Sequence, residues 1–228
     1  MLLLKLKGTG EKMIKNNDFI EIDYTGFTSD GQVFDTTKKD VAKKHGFKDA
    51  QYAPLIICVG RAHILRGLDA KLDGLKIGTH KIPLTETEAF GKKDPKKLKL
   101  MPMKLFQKEN IRPFVGLELN IDDQLGTVRN ISGGRVIVDF NHPLAGKPVS
   151  YEVEIKRKVE DKKEMLEGLL KVLSIPVKNV QVDKDKAKIT TAMEIPKQLQ
   201  DIINKEIELT INIKAEFDFE KPKENKKV

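Results

Sequence analysis

Phe19 to Thr37 constrains this chain more than any other stretch: apolar residues alternate on both sides of Ser29-Asp30-Gly31-Gln32. Alternation of this kind has the period of a half-buried strand, and Asp-Gly supplies the positive φ of a tight turn, so the stretch is expected to form a hairpin. Tyr24 lies on its first strand, Phe34 and Asp35 at the end of its second. Two aromatics and a carboxylate so placed suit the lining of one pocket. A strand-borne Tyr or Phe is equally accounted for as core, and an Asp before Thr36-Thr37 as a turn or helix cap.

The next 55 or so residues tip the balance. Val59-Gly60 and Ile64-Leu65-Arg66-Gly67-Leu68 follow the hairpin, and Ala89-Phe90-Gly91 comes after them. Tyr-Thr-Gly, Asp-Gly-x-x-Phe-Asp, Val-Gly, Ile-Leu-Arg-Gly-Leu and Ala-Phe-Gly, in this order and spacing, closely resemble the FKBP-type peptidyl-prolyl isomerases. The resemblance implies an α+β fold: an FKBP-like antiparallel half-barrel with one helix, here joined by an inserted small β domain and a C-terminal α/β module.

The 228 residues suffice for one large domain or several small ones, and the 39% apolar content is enough to bury cores. The single cysteine, Cys58, stands in an apolar run and reads as a small buried hydrophobe in a reducing compartment, hence the cytoplasm. Met1 to Lys7 is too short in apolar residues for a signal core or a membrane span; the first twelve residues are read as an added strand, or Met13 as the start. The net charge of +8 raises nucleic acid as a partner, but residues 161–228 hold 14 Lys against 13 acidic residues, so the excess lies earlier, around Lys92–Lys99. Such a Lys- and Glu-rich surface is read as a solvated face, which leaves an RNA- or ribosome-associated factor as a minor alternative.

In chain order, Lys38–Lys48 is expected to carry a short helical bulge, Pro54–Val59 a buried strand, Ile64–Leu72 a helix stopped by Gly74, and Thr79–Leu84 a strand. Ordinary FKBP domains have a short flap after Ala-Phe-Gly; here the last strand is expected only at Val149–Ile155, so some fifty residues are inserted. Residues 116–121, 125–131 and 136–140 carry strand signals and suggest a small barrel or sandwich. Asn141-His142-Pro143-Leu144-Ala145-Gly146 resembles the exit from the insert-in-flap domain of SlyD-type FKBPs, a chaperone module. The organisation expected is an isomerase domain over 1–91 and 146–158, the insert over 92–145, a C-terminal domain over 161–220 and a disordered tail over 221–228.

Flexible Met and exposed aromatic side chains adapt to many apolar partners, so the client-binding surface is sought at Leu100, Met101, Met103, Leu105, Phe106, Ile111, Phe114 and Val115. These residues suit the core of a small domain just as well. Beyond 161 the expected order is helix 164–173, strands 177–182 and 187–192, helix 196–205 and one long strand 206–219. Ile207, Leu209, Ile211 and Ile213 would then alternate onto one face and suit pairing across the two-fold axis of a homodimer; a module this small needs such pairing, or docking, for stability.

Rotation about a prolyl amide breaks no bond, so the implied chemistry needs no nucleophile, cofactor or metal; the four scattered histidines offer no ligand cluster either. What it needs is an apolar, water-excluding pocket with aligned donors. By the family's pattern the pocket positions fall on Tyr24, Phe34, Asp35, Leu55, Ile64, Leu65, Leu68, Phe90 and Tyr151. The resemblance implies walls of Tyr24, Phe34 and Tyr151, a floor at Leu68, a backbone donor at Leu65, and Asp35 setting the local field. Leu68 stands where many members carry Trp, and Phe90 where they carry a ligand-bonding Tyr. SlyD-type members are similar at both. Unfolded, Pro-containing chains are the implied partners; a holdase with an idle pocket is the alternative.

Overall fold

The computed structural model describes residues 13–48 and 51–220. The readings made for residues 1–12 and for the tail 221–228 lie outside the described residues. Two compact units divide the chain, residues 84–149 and the remainder.

The first unit opens with β1 (Phe19–Thr28) and β2 (Val33–Thr36), antiparallel and joined through Gly31 at φ 82°. β3 (Leu55–Cys58) pairs antiparallel with the start of β1, Phe19 opposite Cys58 and Ile22 opposite Leu55. With β4 (Gly78–Leu84) and β9 (Val149–Val159) they form one sheet in the order β2-β1-β9-β4, with β3 on β1. In β9, Val149, Tyr151, Val153 and Ile155 are buried and alternate with less buried neighbours, so the period of two puts Tyr151 on the inner face.

α1 (Lys39–Lys44) falls where a helical bulge was expected. The helix expected over 64–72 is shorter: α2 covers only Arg66–Asp69, and Lys71 N–H to Leu68 C=O and Leu72 N–H to Asp69 C=O then close three-residue turns. These tighter bonds carry the chain to Gly74 without a further α turn.

The C-terminal segment contributes α4 (Lys162–Val172), β10 (Val177–Asp183), β11 (Lys186–Thr191), α5 (Lys197–Ile211) and β12 (Lys214–Phe219). β10 and β11 are antiparallel, β11 and β12 parallel. One expectation is corrected here: residues 206–211 belong to α5, not to a long strand. Ile203, Ile207 and Ile211 are buried at four-residue spacing, one stripe of a helix, while Leu209 lies on its exposed side. Asn212, left-handed at φ 57°, ends the helix, so the continuous strand face proposed for dimer pairing does not form.

This segment docks rather than standing alone. Leu166, Leu169, Leu170, Ile189, Ile203 and Ile207 share one hydrophobic core with Phe19 of β1 and Cys58 of β3. A Cβ on Gly168 of α4 would sit 2.5 Å from Cβ of Ile56, so helix and sheet meet backbone-close. Cys58 is a free, buried thiol whose pKa burial pushes up to about 11, inert as expected of a core residue.

The second unit holds β5 (Leu98–Pro102), α3 (Met103–Lys108), β6 (Glu118–Ile121), β7 (Gln124–Ser132) and β8 (Arg135–Asp139). Its strands make one antiparallel sheet in the order β5-β8-β7-β6, not a barrel or sandwich; β5 supplies an edge strand that the sequence pattern concealed. Phe106, Val128, Val136 and Val138 form its core, so Phe106, 3% exposed, is withdrawn from the client surface. Met101, Met103 and Ile111 are half-buried against that core. Leu100 (56%), Leu105, Phe114 (61%) and Val115 are exposed.

Asp139 clamps the two ends of this sheet-bearing segment. It is buried, forms ion pairs with Lys93 at 3.3 Å and Arg129 at 3.2 Å, and accepts from Asn141 N–H at 2.9 Å and Nδ2 at 2.8 Å. Asn141 in turn accepts from Asp94 N–H at 2.8 Å. Burial alone would raise the Asp139 pKa, but the bonds from Asn141 and Lys93 outweigh it and hold the carboxyl at about 2. Because the folded value lies below the ordinary 3.8, the clamp contributes fully above about pH 4 and is lost as pH falls through 2. Asp139→Asn should therefore lower the stability of residues 84–149 at neutral pH by about 2 kcal/mol and abolish that difference near pH 2, checked by hydrogen exchange against pH.

Candidate active site

The candidate site is assembled on the β1–β2 pair by polar bonds beneath it. Thr36 Oγ1 donates to Tyr24 C=O at 3.0 Å, so Thr25 is the donor in the 3.0 Å bond between the Thr25 and Thr36 hydroxyls. Tyr24 N–H donates to Thr37 Oγ1 at 2.9 Å, Thr37 Oγ1 to Asp23 at 2.6 Å, and Lys156 of β9 pairs with Asp23 at 2.7 Å. Asp23, Thr25, Thr36 and Thr37 are all buried, and such groups are retained in a core only when paired. They hold Tyr24 opposite the end of β2.

The register there is irregular. Gly26 faces Asp35 and Phe27 faces Val33, so Phe34 is an extra residue in a bulge. Bulges bend a strand and re-aim a side chain, and this one directs Phe34 across Gly26. A Cβ on Gly26 would stand 2.8 Å from Phe34 Cζ and 2.9 Å from Tyr151 Cε1. Gly26 is thus needed for space, a role that the Tyr-Thr-Gly motif displayed but did not explain.

Tyr151 is the centre of the aromatic group. Its ring meets Tyr24 edge-on at 5.7 Å between centroids and 71°, and Phe34 at 5.6 Å and 84°. Edge-to-face geometry sets the positive rim of one ring against the negative face of another, a favourable and orienting contact. Tyr24 hydrogen-bonds Asp35, and Thr36 N–H donates to the same carboxylate. Burial raises the Tyr24 pKa, as do the charge of Asp35 and the bond to it; burial and the charge of Asp35 likewise raise that of Tyr151. Both phenols stay protonated donors at any ordinary pH. Burial lifts the Asp35 pKa above the usual carboxylate value, partly offset by the bonds from Tyr24 and Thr36.

The structure therefore brings together Tyr24, Phe34, Asp35 and Tyr151. Leu55 lies on β3, half-buried; Ile64 and Leu65 precede α2, with Leu65 as its N-cap; Leu68, on α2, is fully buried. Phe90 belongs to the second unit, where its ring stacks on His142 at 4.3 Å and 3°. His63, just before Ile64, has a side chain only 5% exposed. Among the described residues no helix is long and apolar enough to cross a membrane. Rings, protonated hydroxyls and one carboxylate can hold a small apolar ring and orient an amide; they supply no activated nucleophile.

Residues 10–107 match the family model described as FKBP-type peptidyl-prolyl cis-trans isomerase, and residues 99–144 that described as FKBP26, IF domain. A short-type peptidyl-prolyl cis-trans isomerase of Methanocaldococcus jannaschii is 24% identical over 63% of this chain and 93% of its own. A probable FKBP-type 16 kDa peptidyl-prolyl cis-trans isomerase of Pseudomonas fluorescens is 33% identical over 45% of this chain and 71% of its own. The FKBP-type isomerase SlyD of Aeromonas hydrophila is 31% identical over 60% of each chain.

Proposed function

This chain belongs to the FKBP-type peptidyl-prolyl cis-trans isomerases, and from that premise we propose how its parts divide the work. Xaa-Pro amides of unfolded or partly folded chains turn between Tyr24, Phe34, Asp35 and Tyr151, with Leu55, Ile64, Leu65 and Leu68 completing the apolar lining. Residues 92–145 hold the client, and the α-β-β-α-β module over 161–220 buttresses the isomerase domain. The compartment is the cytoplasm, in keeping with the lone buried thiol.

The observation that carries this reading is the edge-to-face group of Tyr24, Phe34 and Tyr151 beside the Tyr24–Asp35 bond. The planar amide resists rotation by about 18–20 kcal/mol because twisting breaks C–N conjugation. Twisting also reduces the charge separation of the amide, so a water-poor aromatic wall favours the twisted form over the planar one, which water solvates better. The Tyr hydroxyls can hold flanking carbonyls. No proton need move, which agrees with phenols locked in one protonation state.

Client holding is supported by Leu100, Leu105, Phe114 and Val115, large apolar side chains that a single small unit leaves open to water. Met101 and Met103 are half-buried against the unit's core, and their side chains are flexible enough to adapt.

The test is isomerisation of a Pro-containing tetrapeptide followed without a coupling protease. Turnover by the intact chain is expected, and Phe34→Ala should lower kcat/KM about tenfold by removing one wall. Full activity in Phe34→Ala would remove this site; no turnover by the intact chain would leave a holdase.

A further inference from the structure

Residues 60–63 deliver Ile64 and Leu65 from β3 to α2, and their path is unusually pinned. Gly60 and Ala62 both have positive φ, 83° and 55°, a conformation that an alanine adopts only under constraint. Asp69, buried on α2, accepts from Gly60 N–H at 3.0 Å and from Ala62 N–H at 2.7 Å. Cys58 N–H donates to His63 Nδ1 at 3.1 Å, so the proton of the neutral ring sits on Nε2, which lies 4.0 Å from Glu206 Oε1. Glu206 also grips Arg61 with both oxygens: Nε to Oε1 at 2.8 Å and Nη2 to Oε2 at 2.6 Å.

One carboxylate, from a helix 145 residues further on, thus faces Arg61 and His63, the last anchors before Ile64. Its own position is firm. Ile203 and Ile207 flank it on α5 and are buried in the core shared with Phe19 and Cys58. The pair itself lines a groove of about 990 Å³ together with Leu199, Ile202 and Leu209, so it remains partly solvated. A partly exposed ion pair formed through a single contact is a weak source of stability. A planar bidentate fork, by contrast, fixes direction as well as distance.

Resting on the prolyl reading above, we infer that Glu206 is a positioning residue of the isomerase site: through Arg61 and His63 it holds the segment that presents Ile64 and Leu65. The C-terminal module is on this account part of the machinery that turns the amide. Without the fork, the Arg61 and His63 side chains lose their anchor on α5, and Ile64 and Leu65 lose their set position even though Asp69 still holds the turn at Ala62 and the fold survives.

The experiment uses the full chain and a Pro-containing tetrapeptide. Glu206→Gln keeps the size of the side chain and removes its charge. At a temperature where circular dichroism shows it fully folded, its kcat/KM should fall roughly fivefold, mainly in kcat, with displaced amide resonances at Ile64 and Leu65. Arg61→Lys, which keeps the charge but loses the fork, should show the same changes to a smaller degree. Asp201→Asn, on the same helix and paired with exposed Lys197, should match the intact chain. Wild-type kcat/KM in Glu206→Gln, even with a lowered Tm, would overturn the inference and leave the pair a tether. Should Glu206→Gln fail to fold, Arg61→Lys decides, and unchanged turnover there overturns it equally. No turnover by the intact chain would instead bring down the prolyl reading, and this inference with it.

Discussion

Excising residues 92–145 and joining Gly91 to Gly146 is expected to leave tetrapeptide turnover in place while catalysed refolding of a proline-limited protein falls about 100-fold. The ends are already neighbours: Gly146 N–H donates to Gly91 C=O at 2.7 Å, so closing the gap demands little backbone movement. The excised stretch has its own core of Phe106, Val128, Val136 and Val138, so its removal takes a self-contained packing unit with it. The excision also takes His142 from beneath the ring of Phe90. A tetrapeptide gains nothing from a second binding surface, whereas a long client held nearby meets the pocket at high effective concentration. Equal losses in the two assays would show that the insert shapes the pocket rather than holding the client.

Gly26→Ala should be nearly as damaging from a single methyl group. The new Cβ would lie 2.8 Å from Phe34 Cζ and 2.9 Å from Tyr151 Cε1, inside van der Waals contact with two rings at once. Tyr151 is 2% exposed and packed edge-on by Tyr24, so it has little room to yield, and Phe34 sits in the bulge. Overpacking of this kind costs about 1–3 kcal/mol in stability. A displacement of about 1 Å in the rings that frame the substrate can lower kcat/KM about 100-fold. Thermal unfolding and peptide turnover measured on the same preparation would check this. Wild-type kcat/KM with unchanged Tm would mean that the rings have slack which their contacts do not suggest.

Much of the candidate site was legible in the sequence because it sits on one hairpin. Tyr24, Phe34 and Asp35 follow from the hairpin around Asp30-Gly31, and Tyr151 from the resemblance to the family. The bulge at Gly26 and Phe27 was not legible: whether one residue is extra depends on the partner strand. Nor was burial in the insert, where Phe106, Phe114 and the methionines look alike as sequence and differ only in which side of a four-stranded sheet they meet.

The misreading of 206–211 has a definite cause. Ile207, Leu209, Ile211 and Ile213 satisfy a period of two, while Ile203, Ile207 and Ile211 satisfy the spacing of a helix, and the same residues serve both patterns. Packing against Leu166, Leu169 and Ile189 decided in favour of the helix.

By itself the sequence determined the family, the order of the sheet's strands along the chain and the aromatic wall, since each is written in residues two to a few positions apart or in short motifs. Only the tertiary structure decided that Glu206 reaches Arg61, that Gly168 admits Ile56, and that the C-terminal module shares a core with the isomerase sheet. Those contacts join residues more than a hundred positions apart, and no local periodicity encodes which buried surfaces will meet.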